Sequence, residues 1–79
     1  MTNLVEAIAK SLVDEPNRVS VSQEETPQGN IIKLRVAPND MGKVIGKQGR
    51  IAKALRTVVK AAAIRKNERV TVEIESIDD

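Results

Sequence analysis

The sequence contains no cysteine, no histidine and no Phe, Tyr or Trp. Without cysteine there is neither a disulfide staple nor a thiolate metal site. Without histidine the usual general base, the usual metal ligand and any Ser/His or Cys/His nucleophile pair are missing. Without aromatics the core must be built from Ile, Leu, Val, Met and Ala. There is no basic N-terminal region leading into an apolar one, and no apolar run approaches the roughly 18 residues of a membrane span. The expectation is a soluble, cytoplasmic protein with no membrane contact, no cofactor and no metal.

What is present is one small domain, 79 residues long and 41% hydrophobic. That length is near the lower limit for a self-sufficient core, so modest stability or help from a partner is expected. The domain is taken as 1–79, with its core at about 4–75 and a short acidic tail at 76–79. Net charge is only +2, but its distribution is uneven. Between Met41 and Asn67 there are eight basic residues (Lys43, Lys47, Arg50, Lys53, Arg56, Lys60, Arg65 and Lys66) and no Asp or Glu. The other five basic residues face all eleven acids, leaving −6 on the remainder. A basic block of this kind is either a solvated helix face or the footprint of a polyanionic partner, and its size favours the partner.

The block opens on Val44-Ile45-Gly46-Lys47-Gln48-Gly49-Arg50-Ile51. A Gly-x-x-Gly turn can bring backbone N–H groups close to a phosphate, because no Cβ blocks the approach. A helix beginning near Gly49 or Arg50 adds unpaired N–H groups and the positive end of its dipole. Lys47 and Arg50 supply full charges beside the turn. The plain structural alternative is that Gly46 ends one helix and Gly49 hinges into the next. A P-loop is excluded. Gly42 to Gly46 has three intervening residues where four are needed, and Gln48 stands where Ser or Thr should bind Mg²⁺.

Residues 3–14 read as a helix, with Asn3 as N-cap, Glu6 completing a capping box, and Leu4, Val5, Ile8, Leu12 and Val13 on one face. Pro16 stops it. Residues 18–25 and 30–36 alternate apolar and polar, and the turn formers between them predict a hairpin with a four- or five-residue loop. Asn39 or Asp40 caps a short helix ending at Gly46. Gly42 lies inside it, plausibly for close approach of another backbone. Residues 50–65 form the longest helix, with an apolar stripe of Ile51, Leu55, Val58, Val59 and Ala62. Residues 69–75 alternate again, and 76–79 are expected to fray. The predicted order is α-β-β-α-α-β, an α+β two-layer fold. Its three-stranded mixed sheet has the second strand central and helices on one face. Lys33 and Arg35 are then expected near Glu73 and Glu75 on the open face.

This order, with Val-Ile-Gly-Lys-Gln-Gly between the two later helices, resembles the K-homology (KH) domain in its type II arrangement. The resemblance covers roughly residues 4–74. A free-standing domain of this length is similar to the small bacterial KhpA family of RNA-binding proteins. Met1 and the short acidic tail suggest a complete protein. The resemblance implies that the Gly46-Lys47-Gln48-Gly49 turn packs on a nucleic-acid backbone and that the module holds about four nucleotides. It implies bases in an apolar groove between the two helices flanking the turn and the neighbouring sheet edge, near Val44, Ile45 and Ile51, with phosphates near Arg50 and Lys53, Lys43 among the RNA-binding residues, and a variable loop at 65–69 on the groove's far side.

The absence of aromatics fits this module better than RRM or OB-type binders, which stack bases on rings. The expected function is non-enzymatic binding of single-stranded RNA, as an RNA chaperone or post-transcriptional regulator; single-stranded DNA is not excluded by the residues. The competing reading is an interaction subunit that pairs with itself or with a larger Jag-like KH protein, with the 61–64 end of the long helix as contact. Two linked sites would raise the affinity of a four-nucleotide module. An enzyme is disfavoured, because the basic segment contains no carboxylate, histidine or thiol.

Overall fold

The computed structural model describes residues 1–77. Helix α1 (Thr2–Leu12) buries Val5 and Ala9 completely. It begins one residue earlier than its sequence suggests. Met1 packs on the core and serves as N-cap, its carbonyl accepting the Val5 N–H at 3.2 Å. Asn3 therefore lies inside the helix, and the expected capping box does not form. Glu6 instead pairs with Lys10 one turn on, at 2.9 Å.

The helix also ends before Pro16 can stop it. Val13 is already extended. The next two N–H groups, of Asp14 and Glu15, each donate to a different oxygen of the Asp40 carboxylate at 3.1 Å. Pro16–Arg18 is a single 3₁₀ turn, and strand β1 (Ser20–Thr26) follows.

Strand β2 (Gly29–Val36) runs antiparallel to β1, with Thr26 opposite Gly29. The predicted longer loop is thus only Pro27 and Gln28. Thr26 tightens it: its hydroxyl donates to the Gly29 carbonyl at 2.7 Å and accepts the Gln28 N–H at 3.3 Å. Alternation along β2 places Ile32, Leu34 and Val36 in the core, each at most 1% exposed. Lys33 and Arg35 fall on the open face, where Arg35 pairs with Glu75 at 3.2 Å as expected. Lys33 pairs with Glu24 of β1 at 3.5 Å rather than with Glu73.

A 3₁₀ turn (Pro38–Asp40) leads into α2 (Met41–Ile45), and a second one (Lys47–Gly49) leads into α3 (Arg50–Arg65). Strand β3 (Val70–Ser76) returns parallel to β2, giving the sheet order β1-β2-β3. The expected α-β-β-α-α-β fold is therefore present. The Ile77 N–H donates to the Val36 carbonyl at 2.8 Å, so the expected frayed tail is structured at 76 and 77; residues 78–79 lie outside the described part.

One apolar cluster joins the layers: Val5 and Ala9 of α1, Ile32, Leu34 and Val36 of β2, Val44 of α2, Leu55 and Val59 of α3, and Val72 of β3. The face of α3 differs from its expected stripe. Leu55 and Val59 are central, but their buried companions are Ala52 and Ala63, while Val58 is 45% exposed. Alanines on that flank let the helix approach the sheet closely, which a Val58-centred face would prevent. Gly42 also departs from expectation, because a Cβ built there meets no atom within 4 Å.

Two stability predictions follow from this packing. Leu55→Ala removes a side chain that is 4% exposed in the centre of the cluster. It should cost roughly 2–5 kcal/mol in denaturant or thermal melts. Gly42→Ala places a methyl group in open space on a helix. It should stabilise by roughly 0.5–1 kcal/mol, and a loss of stability would contradict the open environment of this glycine.

Candidate nucleic-acid interface

The Gly-x-x-Gly turn is held by its own backbone. The Gly46 N–H donates to the Gly42 carbonyl at 2.9 Å, closing α2, and the Gly49 N–H donates to the Gly46 carbonyl at 3.1 Å. Gly46 (φ 77°) and Gly49 (φ 75°) both occupy the left-handed half of backbone space. Their uses differ. A Cβ on Gly46 would lie 2.5 Å from Cγ1 of Ile51, so this glycine lets the start of α3 pack against the end of α2. A Cβ on Gly49 meets nothing within 4 Å, so this glycine leaves bare surface at the helix entrance. Gly46 thus has a packing role in addition to the expected one of clearing a path for a ligand.

Between them, Lys47 and Gln48 are exposed. Gln48 is itself left-handed (φ 59°), an uncommon conformation for a residue with a side chain. It turns its amide oxygen toward Arg50, whose Nη2 donates to Oε1 at 3.3 Å. No side chain caps the first turn of α3, and its first N–H, that of Arg50, donates to the Lys47 carbonyl. Lys53 is exposed one turn further on.

The remaining sequence-selected residues divide. Ile45 and Ile51 are half-buried beside the turn and retain some surface. Val44 is 0% exposed, a core residue with no surface to offer a ligand. Lys43 is already paired with acids. Its ammonium donates to Asp14 and lies 3.9 Å from Asp40. The hydrogen bond to Asp14 raises the Lys43 pKa above its ordinary value, and the charges of Asp14 and Asp40 add to the effect.

On the sheet-edge side lies a surface whose lining residues were not named from sequence. A groove of about 390 Å³ lies between α3 and β3, lined by residues including Arg56, Lys60, Ile64, Arg69 and Val72. Because β3 is at the sheet edge, one side of its backbone has no strand partner. Arg56 bridges the groove, its Nε donating to the Val72 carbonyl at 3.4 Å. The far end is fastened through Gly29, where a Cβ would lie 2.6 Å from the Arg69 carbonyl, and through the Asn30 N–H, which donates to that carbonyl at 2.8 Å. The available sequence signal was basic residues four apart on α3 (Arg56 and Lys60). Which face of α3 meets β3 was not available from periodicity alone.

The charges complete the picture. Lys10, Arg18, Lys33, Arg35 and Lys43 each form a salt bridge. Among the described residues, none of Lys47, Arg50, Lys53, Arg56, Lys60, Arg65, Lys66 and Arg69 does. Those eight run from the glycine turn along α3 and round the loop into β3.

Comparison with known proteins agrees with this architecture. A family model described as KhpA/KhpB, KH domain, matches residues 2–74. The chain is 65% identical over 74 residues to the RNA-binding protein KhpA of Clostridium acetobutylicum, covering 94% of this chain and 99% of that protein. It is 61% identical over 74 residues to RNA-binding protein KhpA of Caldanaerobacter subterraneus subsp. tengcongensis, with the same coverage. Among solved structures, Aquifex aeolicus Era bound to GDP and AlF4⁻ superposes with a TM-score of 0.64 at 22% identity, over 99% of this chain and 31% of that one. Era in complex with MgGDPNP and nucleotides 1506–1542 of 16S ribosomal RNA superposes with a TM-score of 0.57 at 23% identity, over 99% of this chain and 30% of that one. At those identities the two structures speak to the fold alone. With the family model spanning nearly the whole chain and relatives this similar, the chain belongs to the KhpA/KhpB family of KH-domain proteins.

Proposed function

We propose that this protein is a non-enzymatic binder of single-stranded RNA that acts in the cytoplasm as an RNA chaperone or post-transcriptional regulator. The segregation of charge carries this reading. Acids neutralise the cations outside residues 47–69 and leave the eight within unpaired. An unpaired, exposed row of cations is repulsive to itself and attractive to a polyanion. The name RNA-binding protein carried by the similar relatives supports the same reading. No described helix is long and apolar enough to cross a membrane.

In this reading a phosphate lies over the bare surface at Gly49, met by the positive end of the α3 dipole and by Lys47 and Arg50. Lys53 meets the adjacent phosphate. Bases lie along Ile45 and Ile51 and into the α3–β3 groove, flanked by Arg56, Lys60 and Arg69. With no ring to stack on, affinity rests on phosphates and sequence preference is low.

Pairing with a second copy or with a larger Jag-like KH protein is the second reading. It is favoured by Val58 and Ile64, which are 45% and 66% exposed on α3 with Ala61 exposed between them. Two paired modules would gain affinity by effective concentration. Sedimentation across a range of concentrations should then show a mass above that of one chain, reduced by Val58→Asp. A constant single-chain mass would discard self-pairing.

Two measurements test the RNA reading. With three or four phosphates neutralised, the slope of log K against log salt should be about −2 to −3 for an unstructured RNA. Affinity independent of salt would remove its electrostatic basis. Lys47→Asp with Gln48→Asp should abolish binding in fluorescence anisotropy and leave circular dichroism unchanged. Both side chains are exposed, and Asp accepts the left-handed backbone at position 48 readily. Lys60 and Arg65 reversed together should weaken binding only partly. Undiminished binding by the folded Lys47/Gln48 double variant would refute the turn as the site.

A further inference from the structure

We propose that Asp14 is a built-in competitor for the ammonium of Lys43, and that an RNA phosphate must displace it to recruit this lysine. The proposal rests on the RNA-binding reading and concerns how that site is regulated. Lys43 stands three residues before Gly46 on α2, within one helical turn of the Gly-x-x-Gly turn. Of the five paired cations, it is the one lying in the otherwise acid-free segment between Met41 and Asn67.

Its partner is brought in from far along the chain and is held in place. The Asp40 carboxylate, 1% exposed, binds the N–H groups of Asp14 and Glu15. That contact fixes the backbone from which the Asp14 carboxylate reaches Lys43. The Asp14 side chain itself is 77% exposed and Lys43 42% exposed, so their pair stands in solvent. Exposed pairs are screened and open readily. A phosphodiester presents the same chemistry as Asp14, an anionic oxygen acceptor. The four-carbon stem of Lys43 can swing from one to the other. Asp40 remains on the far side at 3.9 Å and keeps the ammonium near α2 in either state. The hydrogen bond to Asp14 raises the Lys43 pKa, which keeps this side chain an ammonium.

The arrangement makes Lys43 a reserve cation. It adds little to affinity in the wild-type protein, because each phosphate contact it gains costs it the Asp14 contact. Removing the carboxylate releases it. Asp14→Asn keeps the main-chain N–H that Asp40 holds, and it alters a mostly exposed side chain, so the fold should persist.

The test is anisotropy on a labelled oligouridylate at several salt concentrations. Asp14→Asn should bind about two- to five-fold more tightly at low salt than wild type, the range open to an exposed ion pair. Its log K–log salt slope should steepen by about 0.7, one further phosphate on a single strand. In a Lys43→Met background the same substitution should change neither. Glu24→Gln, which frees Lys33 on the open face of the sheet, controls for the gain of one net charge and should leave the slope as it was. Asp14→Ser repeats the experiment through a second side chain if the Asn variant folds poorly. Unchanged affinity and slope in both Asp14 variants would overturn the proposal, as would a gain that survives without Lys43. Failure of wild type itself to bind would overturn the RNA reading and this proposal with it. Wild-type binding with indifferent Asp14 variants overturns this proposal alone.

Discussion

A carboxylate buried as deeply as that of Asp40 is tolerable only with partners on both oxygens, because the desolvation of an ion is costly. It finds them in two main-chain N–H groups of the connection that follows α1, those of Asp14 and Glu15. This one contact ties the connection after α1 to the residue preceding α2, and so connects the N-terminal helix to the segment ending at Gly46. The Gly46–Ile51 contact then relays the position of α2 to α3. The glycine turn is the junction of two helices whose placement is decided elsewhere, which is why it can be short and still ordered.

The core achieves this without a single ring. Its largest fully buried side chains include Ile32, Leu34, Val5, Val36, Val44 and Val59, mostly β-branched and stiff. Such residues fill a thin two-layer space with few rotamers to fix. Alanines at 52 and 63 bring α3 near the sheet. The polar outer face is held by cross-strand pairs, Lys33 with Glu24 and Arg35 with Glu75, each of small individual value.

Much of this was legible in the order of residues, for identifiable reasons. Alternation in 30–36 and 69–75 reports a sheet with one wet face, and Ile32, Leu34 and Val72 obey it. The helix–glycine turn–helix unit was legible because glycine spacing and the loss of acids change together at residue 41. What failed depended on tertiary partners. Local capping is what a sequence pattern encodes, so Asn39 or Asp40 reads as the cap of the short helix; Asp40 holds that position, but its carboxylate goes to the N–H groups of residues 14 and 15 instead. Val58 and Ala63 exchanged places because periodicity gives a wide apolar arc on α3 but not the depth to which each flank is covered. Val44, taken as a possible base contact, is core for the same reason. Gly42 carried no close approach, and sequence cannot distinguish a glycine that is needed from one that is merely tolerated. A groove reaching the sheet edge was implied by the resemblance, but its lining on α3 and β3 was not named, because it belongs to neither element alone.

That groove depends on a pairing across a long stretch of chain. Asn30 of β2 lies opposite Val70 of β3, and the whole intervening chain, both later helices included, must be synthesised before the two strands can meet. The glycine turn, by contrast, is assembled from neighbours. During synthesis the turn and its cations therefore emerge before the wall contributed by β3 exists. A nascent chain presents charge first and a shaped groove only when its last strand has docked.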